Sequence, residues 1–303
     1  MSLSPLDITT FAVYCVLLVG IAWWVSREKA GHEKNSTDYF LAGKSLPWWA
    51  IGASLIAANI SAEQIIGMSG SGFAIGLGIA SYEWMAAITL LIIGKYFLPI
   101  FLEKGISTMP QFLEQRYDSR VRTVMAIFWL ALYTFVNLTS ILWLGALAIN
   151  AITGLDLVHG LGFLAVFSIG YSIYGGLKAV ALTDIIQVVL LIIGGLMVSF
   201  LALDQIAENA GGSGAFQGFS IMLAEIPEKF DMILDPRNEH YSSRPASSVL
   251  VGGLWIMNLS YWGFNQYITQ RTLAAKSLAE AQKGIAFAAY LKILMPLIVV
   301  LPG

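Results

Sequence analysis

The 303-residue chain is 57% apolar and only 12% charged, where an ordinary soluble domain carries roughly 25% charged residues. That composition excludes a soluble globular protein and predicts an all-α polytopic membrane protein. The net charge of −2 offers no basic surface for nucleic acid, and the single Cys15 rules out an internal disulfide or a cysteine-held metal.

The N-terminus, MSLSPLDITTF, has no basic stretch ahead of the apolar run and no small-residue cleavage site after it, so Phe11–Val25 reads as a retained span and not a signal peptide. Eight apolar segments approach the ~20 residues a bilayer requires. They are Ile8–Ser26, Pro47–Gly72, Ile79–Phe101, Val121–Ile149, Leu157–Tyr174, Val180–Leu203, Ser247–Thr269 and Gly284–Leu301. The chain stops directly out of an apolar run, at Leu301-Pro302-Gly303, which predicts an N-terminal fragment of a longer protein.

Orientation follows from basic residues. With the first loop inside, the inner loops hold Arg27, Lys29, Lys34, Lys44, Lys104, Arg116, Arg120, Arg122, Lys178, Arg271, Lys276 and Lys283. The outer loops hold only Lys229, Arg237 and Arg244. This asymmetry places the N-terminus on the outer face. Lys95 lies close enough to the inner end of its span to snorkel. Thr108-Met109-Pro110-Gln111 reads as a helix start with Thr108 as cap, opening a short helix on the inner surface. The one long loop, Asp204–Ala246, faces outside. Its Gly211–Gly214 cluster is expected to be flexible, and Ile221–Phe230 is either an amphipathic cap over an entrance or a solvated linker.

The stretch Ser54–Gly72, SLIAANISAEQIIGMSGSG, starts as a bilayer span and then carries Asn59, Ser61, Glu63 and Gln64 near its middle, followed by Gly67, Gly70 and Gly72. A charged group at that depth costs at least ~2.5 kcal/mol and faces a cavity or a partner. Irregular backbone there survives only against water or protein. The expectation is a broken helix whose freed carbonyls and polar side chains build a midplane binding site. NLSYWGFNQY, with Asn258 and Tyr261, is a second polar, glycine-containing interruption, five spans later. Interhelical hydrogen bonding is the ordinary alternative for these two residues. Two broken helices at that spacing are the pattern of inverted repeats in a secondary transporter. Glu83 reads either as an interfacial carboxylate or as a site residue, and Lys292, deep in the last span, needs a carboxylate, carbonyls or water that nothing near it in sequence supplies. No nucleophile–base pair lies at depth: His32, His159 and His240 fall in loops or at a span edge, so the chain does not read as an enzyme.

The segments AANISAEQIIGMSGSG, ASYEWM, YSIYGGLKAVALTDIIQ and YWGFNQYITQRTLAAKS resemble the solute:sodium symporter family, in particular its sodium/galactose and sodium/glucose branch. The likeness runs from about Thr9 to Gly303. It implies a leucine-transporter-like inverted-repeat fold in a single transporter domain: 8–26 as an extra N-terminal helix, 47–203 as the first five-helix repeat, and 247–303 as the start of the second. It implies sodium-coupled symport of a monosaccharide, galactose or glucose, across the cell (inner) membrane, with no cofactor beyond the coupling ion. The same scaffold also admits a sodium symporter of another small solute, or a non-transporting sensor or channel.

Position by position, the resemblance assigns Gln64, Glu83, Asn258 and Lys292 to sugar hydroxyls and Tyr261 to the pyranose face and the inner exit. It gives the sodium ion the carbonyls of Ala57 and Ile60. Met68 and Tyr82 belong to an outer gate, Asn59 braces the inner gate through Tyr261, and Asp184 lies on the sodium exit path. Further sodium ligands, including serine hydroxyls, and a sugar-binding glutamine are implied beyond Gly303. Ala86 departs from the family pattern, where a serine contacting the sugar is expected.

Overall fold

The computed structural model describes residues 4–27, 35–233, 241 and 249–303. Every described element is helical, apart from one isolated bridge that pairs Leu46 with Ala275. In chain order the helices are α1 (Pro5–Ser26), α2 (Ser36–Leu41), α3 (Trp48–Asn59), α4 (Ala62–Ile75), α5 (Leu77–Glu103), α6 (Met109–Arg116), α7 (Ser119–Thr153), α8 (Leu157–Gly170), α9 (Gly175–Asn209), α10 (Ala215–Glu225), α11 (Val249–Phe264), α12 (Gln266–Leu273) and α13 (Leu278–Val299). Among the described residues, α1, α5, α7, α9 and α13 are each long and apolar enough to cross a membrane. Taken together as one span, the bent pair α3–α4 passes the same test as a sixth, and α8 and α11 are shorter apolar helices. These correspond one for one to the eight apolar segments.

The core forms where helices are apolar on every side. Ala50 to Ile56 of α3 are all buried, as expected of a helix enclosed by others. α3 packs on α13 through two glycines. A Cβ at Gly52 would lie 2.8 Å from the Gly284 carbonyl, and one at Gly284 would lie 2.8 Å from Ile51 and 2.9 Å from the Trp48 carbonyl. With no hydrophobic drive between helices in lipid, close backbone approach of this kind supplies the contact. α1, α7 and α9 keep large apolar side chains exposed, such as Val16, Phe135 and Met197, which suits lipid or further helices. Lys95 is also exposed, with its ammonium 5.2 Å from the Tyr96 ring.

Several local expectations hold and several are corrected. Thr108 accepts from the Gln111 amide at 3.2 Å and caps α6. The Ile221–Phe230 segment is not one helix: α10 ends at Glu225, and a separate 3-10 turn spans Pro227–Phe230. Gly211 and Gly214 hold left-handed backbone in a defined turn, with the Gly214 amide 2.6 Å from Asp204 Oδ1. The segment after α10 reaches back over α4, where Lys229 Nζ donates to the carbonyls of Phe73 and Ala74 at 2.9 and 2.8 Å. Arg271, counted above with the inner-loop cations, is instead 8% exposed within α12. Lys29, Lys34, Arg237, Arg244, His32 and His240 lie outside the described residues, as does most of the 231–248 stretch.

Candidate functional site

The chain leaves the helix after Asn59. Ile60 (φ −84, ψ 117) and Ser61 (φ −126, ψ 176) are extended, and α4 then sets off at 64° to α3. The Ile56 carbonyl still accepts from the Ile60 amide at 2.9 Å, but the residue four ahead of Ala57 is Ser61, outside the helical ladder, so the carbonyls after Ile56 lose their usual helical donors. Ala57 and Ile60 flank this break. The side chain of Glu63 lies outside what the structure describes.

A cavity of about 490 Å³ opens beside the break. It is lined by Asn59, Ser61, Gln64, Met68, Tyr82, Glu83, Asn258, Tyr261 and Lys292, together with Ala58, Ala86, Asn137, Trp262 and Tyr267 among others. Every residue assigned above to sugar contact or to a gate thus reaches one space from four separate segments. Ala57, Ile60 and Asp184 are not among its lining residues. Asn137, on α7, was not singled out in the sequence; a single asparagine in a long apolar run carries no signal that separates it from a helix-packing residue.

Several polar groups of this cavity bond to one another. Lys292 is 1% exposed and Glu83 3%, and their Nζ and Oε2 atoms are 2.5 Å apart. Glu83 is therefore a buried partner, not an interfacial carboxylate. Lys292 also donates to the Asn59 side-chain oxygen, and Gln64 donates to the other Glu83 oxygen. The Lys292 ammonium sits 5.3 Å from the Trp262 ring, a further source of stabilisation for a buried cation. Asn59 Nδ2 donates to the Tyr261 hydroxyl at 3.2 Å, and Tyr261 and Tyr267 share a hydroxyl–hydroxyl bond of 2.8 Å. Asn258 is buried, with its amide nitrogen spent on the Leu254 carbonyl of its own helix at 3.0 Å. Gln64 Nε2 also lies 3.0 Å from the Met68 sulfur. A polyhydroxylated ligand entering here finds donors and acceptors of both kinds and must displace their mutual bonds.

The second interruption falls within NLSYWGFNQY, as the sequence suggested, at the later of its two asparagines. Asn258 and Tyr261 lie on continuous helix, which widens to a π turn over Ser260–Phe264 and breaks at Asn265 (φ −78, ψ 121). Tyr133 of α7 closes this break. Its hydroxyl donates to Asn265 Oδ1 at 2.6 Å and accepts from the Gln266 amide at 3.1 Å. Gln266 in turn accepts from the Met109 amide at 2.9 Å, joining the break to the start of α6. Asp184 of α9 is 6% exposed and lies 3.4 Å from the Arg271 guanidinium and 2.5 Å from the Ser54 hydroxyl.

Comparison with known proteins adds a family to this geometry. Residues 39–303 match the sequence profile of the sodium:solute symporter family. A sodium/glucose cotransporter of Vibrio parahaemolyticus is 60% identical over 99% of this chain and 55% of its own length. An uncharacterized symporter of Escherichia coli K12, YidK, is 38% identical over 99% of this chain and 52% of its own length. Human sodium/glucose cotransporter 4 is 34% identical, with coverages of 99% and 45%. The chain thus spans about half the length of these relatives. The solved substrate-bound, outward-open structure of a Na+-coupled sialic acid symporter matches the fold with a TM-score of 0.82 at 21% identity, over 97% of this chain and 58% of that one.

Proposed function

This chain belongs to the sodium:solute symporter family, and from that premise we propose that the protein it comes from is a sodium-coupled symporter of a monosaccharide, of galactose or glucose type, working by alternating access. It is a multi-pass membrane protein. We place it in the inner membrane with its N-terminus outside, on the asymmetry of basic residues; Arg271, now seen to be buried, leaves that asymmetry intact. In this reading 8–26 is an extra helix, 47–203 the first repeat and 247–303 the opening of the second. The activity is transport and not chemistry.

One observation carries the proposal: Gln64, Glu83, Asn258, Tyr261 and Lys292, drawn from four separate segments, line one cavity beside a broken helix. In it Glu83 accepts from sugar hydroxyls, Lys292 donates to them, Gln64 and Asn258 do both, and Tyr261 covers the apolar ring face. Leaving such groups unmatched costs ~1–3 kcal/mol each when a ligand lacks the hydroxyl, which is the basis of selectivity. Sodium, a hard cation, takes oxygen ligands. The carbonyls of Ala57 and Ile60 contribute them at the break, with the remaining ligands beyond Gly303. Asn59 braces the inner gate, and Met68 and Tyr82 form part of the outer one. Asp184 lies along the sodium exit path.

One cation crossing ~100 mV and a tenfold sodium gradient together release ~3.7 kcal/mol, enough for roughly 500-fold accumulation of a neutral sugar at one-to-one coupling. In proteoliposomes of the full-length protein with an imposed gradient, labelled galactose or glucose is expected to accumulate well above equilibrium in sodium and to stop at equilibrium in choline. Equal accumulation in both ions would remove sodium coupling, and transport of no sugar in a panel would remove the sugar assignment.

A further inference from the structure

We propose that Asp184 and Arg271 form a latch that closes the inner side of the cavity. The inner halves of the two broken helices, α3 and α12, are tied to each other by backbone. The Leu46 amide donates to the Ala274 carbonyl at 3.1 Å and the Lys276 amide to the Leu46 carbonyl at 3.2 Å. Such a pair moves as one body. Among the described residues, its polar hold on α9 is Asp184.

Arg271 spreads its fork over three acceptors on three helices or turns. Nη2 meets Asp184 Oδ2 at 3.4 Å, Nε meets the Ser54 hydroxyl at 2.7 Å, and Nη1 donates to the carbonyl of Tyr267. The Ser54 hydroxyl donates its own hydrogen bond to the same Asp184 oxygen at 2.5 Å. A rigid guanidinium can do this where an ammonium cannot. Separating α9 from the α3–α12 body leaves a buried anion and a buried cation unpaired, which is costly until water reaches both. The latch also touches the cavity: Tyr267, whose carbonyl holds Arg271, shares its hydroxyl with Tyr261, and Tyr261 accepts from Asn59. A ligand that takes the Asn59 amide therefore acts on the residue that anchors Arg271. This link to cargo rests on the symport reading; the latch itself rests only on the proposed orientation.

The test uses the full-length protein with a reporter, Ala58→Cys, in an otherwise cysteine-free background, since Ala58 lines the cavity. An impermeant maleimide is applied to the inner face of inside-out vesicles, without sugar or a sodium gradient. The neutral pair, Asp184→Asn with Arg271→Gln, stays polar and leaves no lone buried charge. The latch predicts inner-face labelling at least roughly tenfold faster in that pair, at an unchanged melting temperature. If each single variant labels faster and the pair returns to the parent rate, the residues are a structural ion pair only and the proposal fails. It fails also if no variant changes the rate. Should the pair not fold, Ser54→Ala keeps both charges and is read the same way: faster labelling upholds the latch, and the parent rate overturns it. A protein that labels as predicted yet transports no sugar would sink the symport reading and leave the latch standing.

Discussion

Glu83→Gln in the full-length protein will lower sugar uptake by ~100-fold or more while the protein still reaches the membrane. The carboxylate is 3% exposed, lies 2.5 Å from Lys292 Nζ, and takes the Gln64 amide on its other oxygen. Glutamine preserves shape but withdraws the charge that balances a lysine 1% exposed. Breaking one half of a buried pair costs ~3–5 kcal/mol, and ~2.7 kcal/mol already suffices for a hundredfold effect. The loss is expected in both affinity and orientation, because the carboxylate proposed to accept from sugar also fixes Lys292. Adding Lys292→Met to Glu83→Gln removes the stranded cation and should recover thermal stability without recovering uptake. Uptake within a few-fold of the parent in Glu83→Gln would take Glu83 out of the site.

Gly284→Leu is expected to abolish uptake for a different reason. At Gly284 even a Cβ would press on Ile51 at 2.8 Å and on the Trp48 carbonyl at 2.9 Å, and backbone cannot yield as a flexible side-chain end can. The α3–α13 crossing must open. Lys292 rides on α13 two turns further along the helix, so the displacement carries its ammonium away from Asn59 and Glu83. Overpacking costs ~1–3 kcal/mol even where side chains can shift, and here the obstacle is backbone. A melting temperature lowered by ~5 °C or more is expected, with loss of sugar binding. Gly284→Ala should show the same direction at smaller size. A stable, active Gly284→Leu protein would contradict the packing described.

The parts of this molecule that the sequence made legible are those written locally. Asn59, Ser61 and Gln64 interrupt an apolar run, and the backbone breaks among them at Ile60 and Ser61. The span count, the Thr108 cap and the all-α, leucine-transporter-like architecture follow likewise from periodicity, punctuation and resemblance. What was hidden depends on residues far apart in the chain. Lys292 finds Glu83 209 positions away, and no local pattern marks that partnership. Arg271 looked like a loop cation because polar residues surround it, yet its counter-charge stands 87 positions earlier. The stretch NLSYWGFNQY was legible as an interruption, but not which of its polar residues breaks the helix. A helix satisfies an asparagine through its own Leu254 carbonyl, whereas the break at Asn265 needs an external hydroxyl, and Tyr133 supplies it. The Gly52–Gly284 contact was invisible because a glycine within a span signals close approach only when its partner is known.

The account rests on sodium and sugar sharing one rearranging helix, with Ala57 before the break, Ile60 within it and Gln64 beyond it. Its most direct test is equilibrium binding of labelled sugar to the purified full-length protein at varied sodium, and of sodium at varied sugar. The account predicts that each tightens the other by the same factor, roughly tenfold, because linkage is reciprocal. Sugar affinity indifferent to sodium would show that the break does not join the two sites.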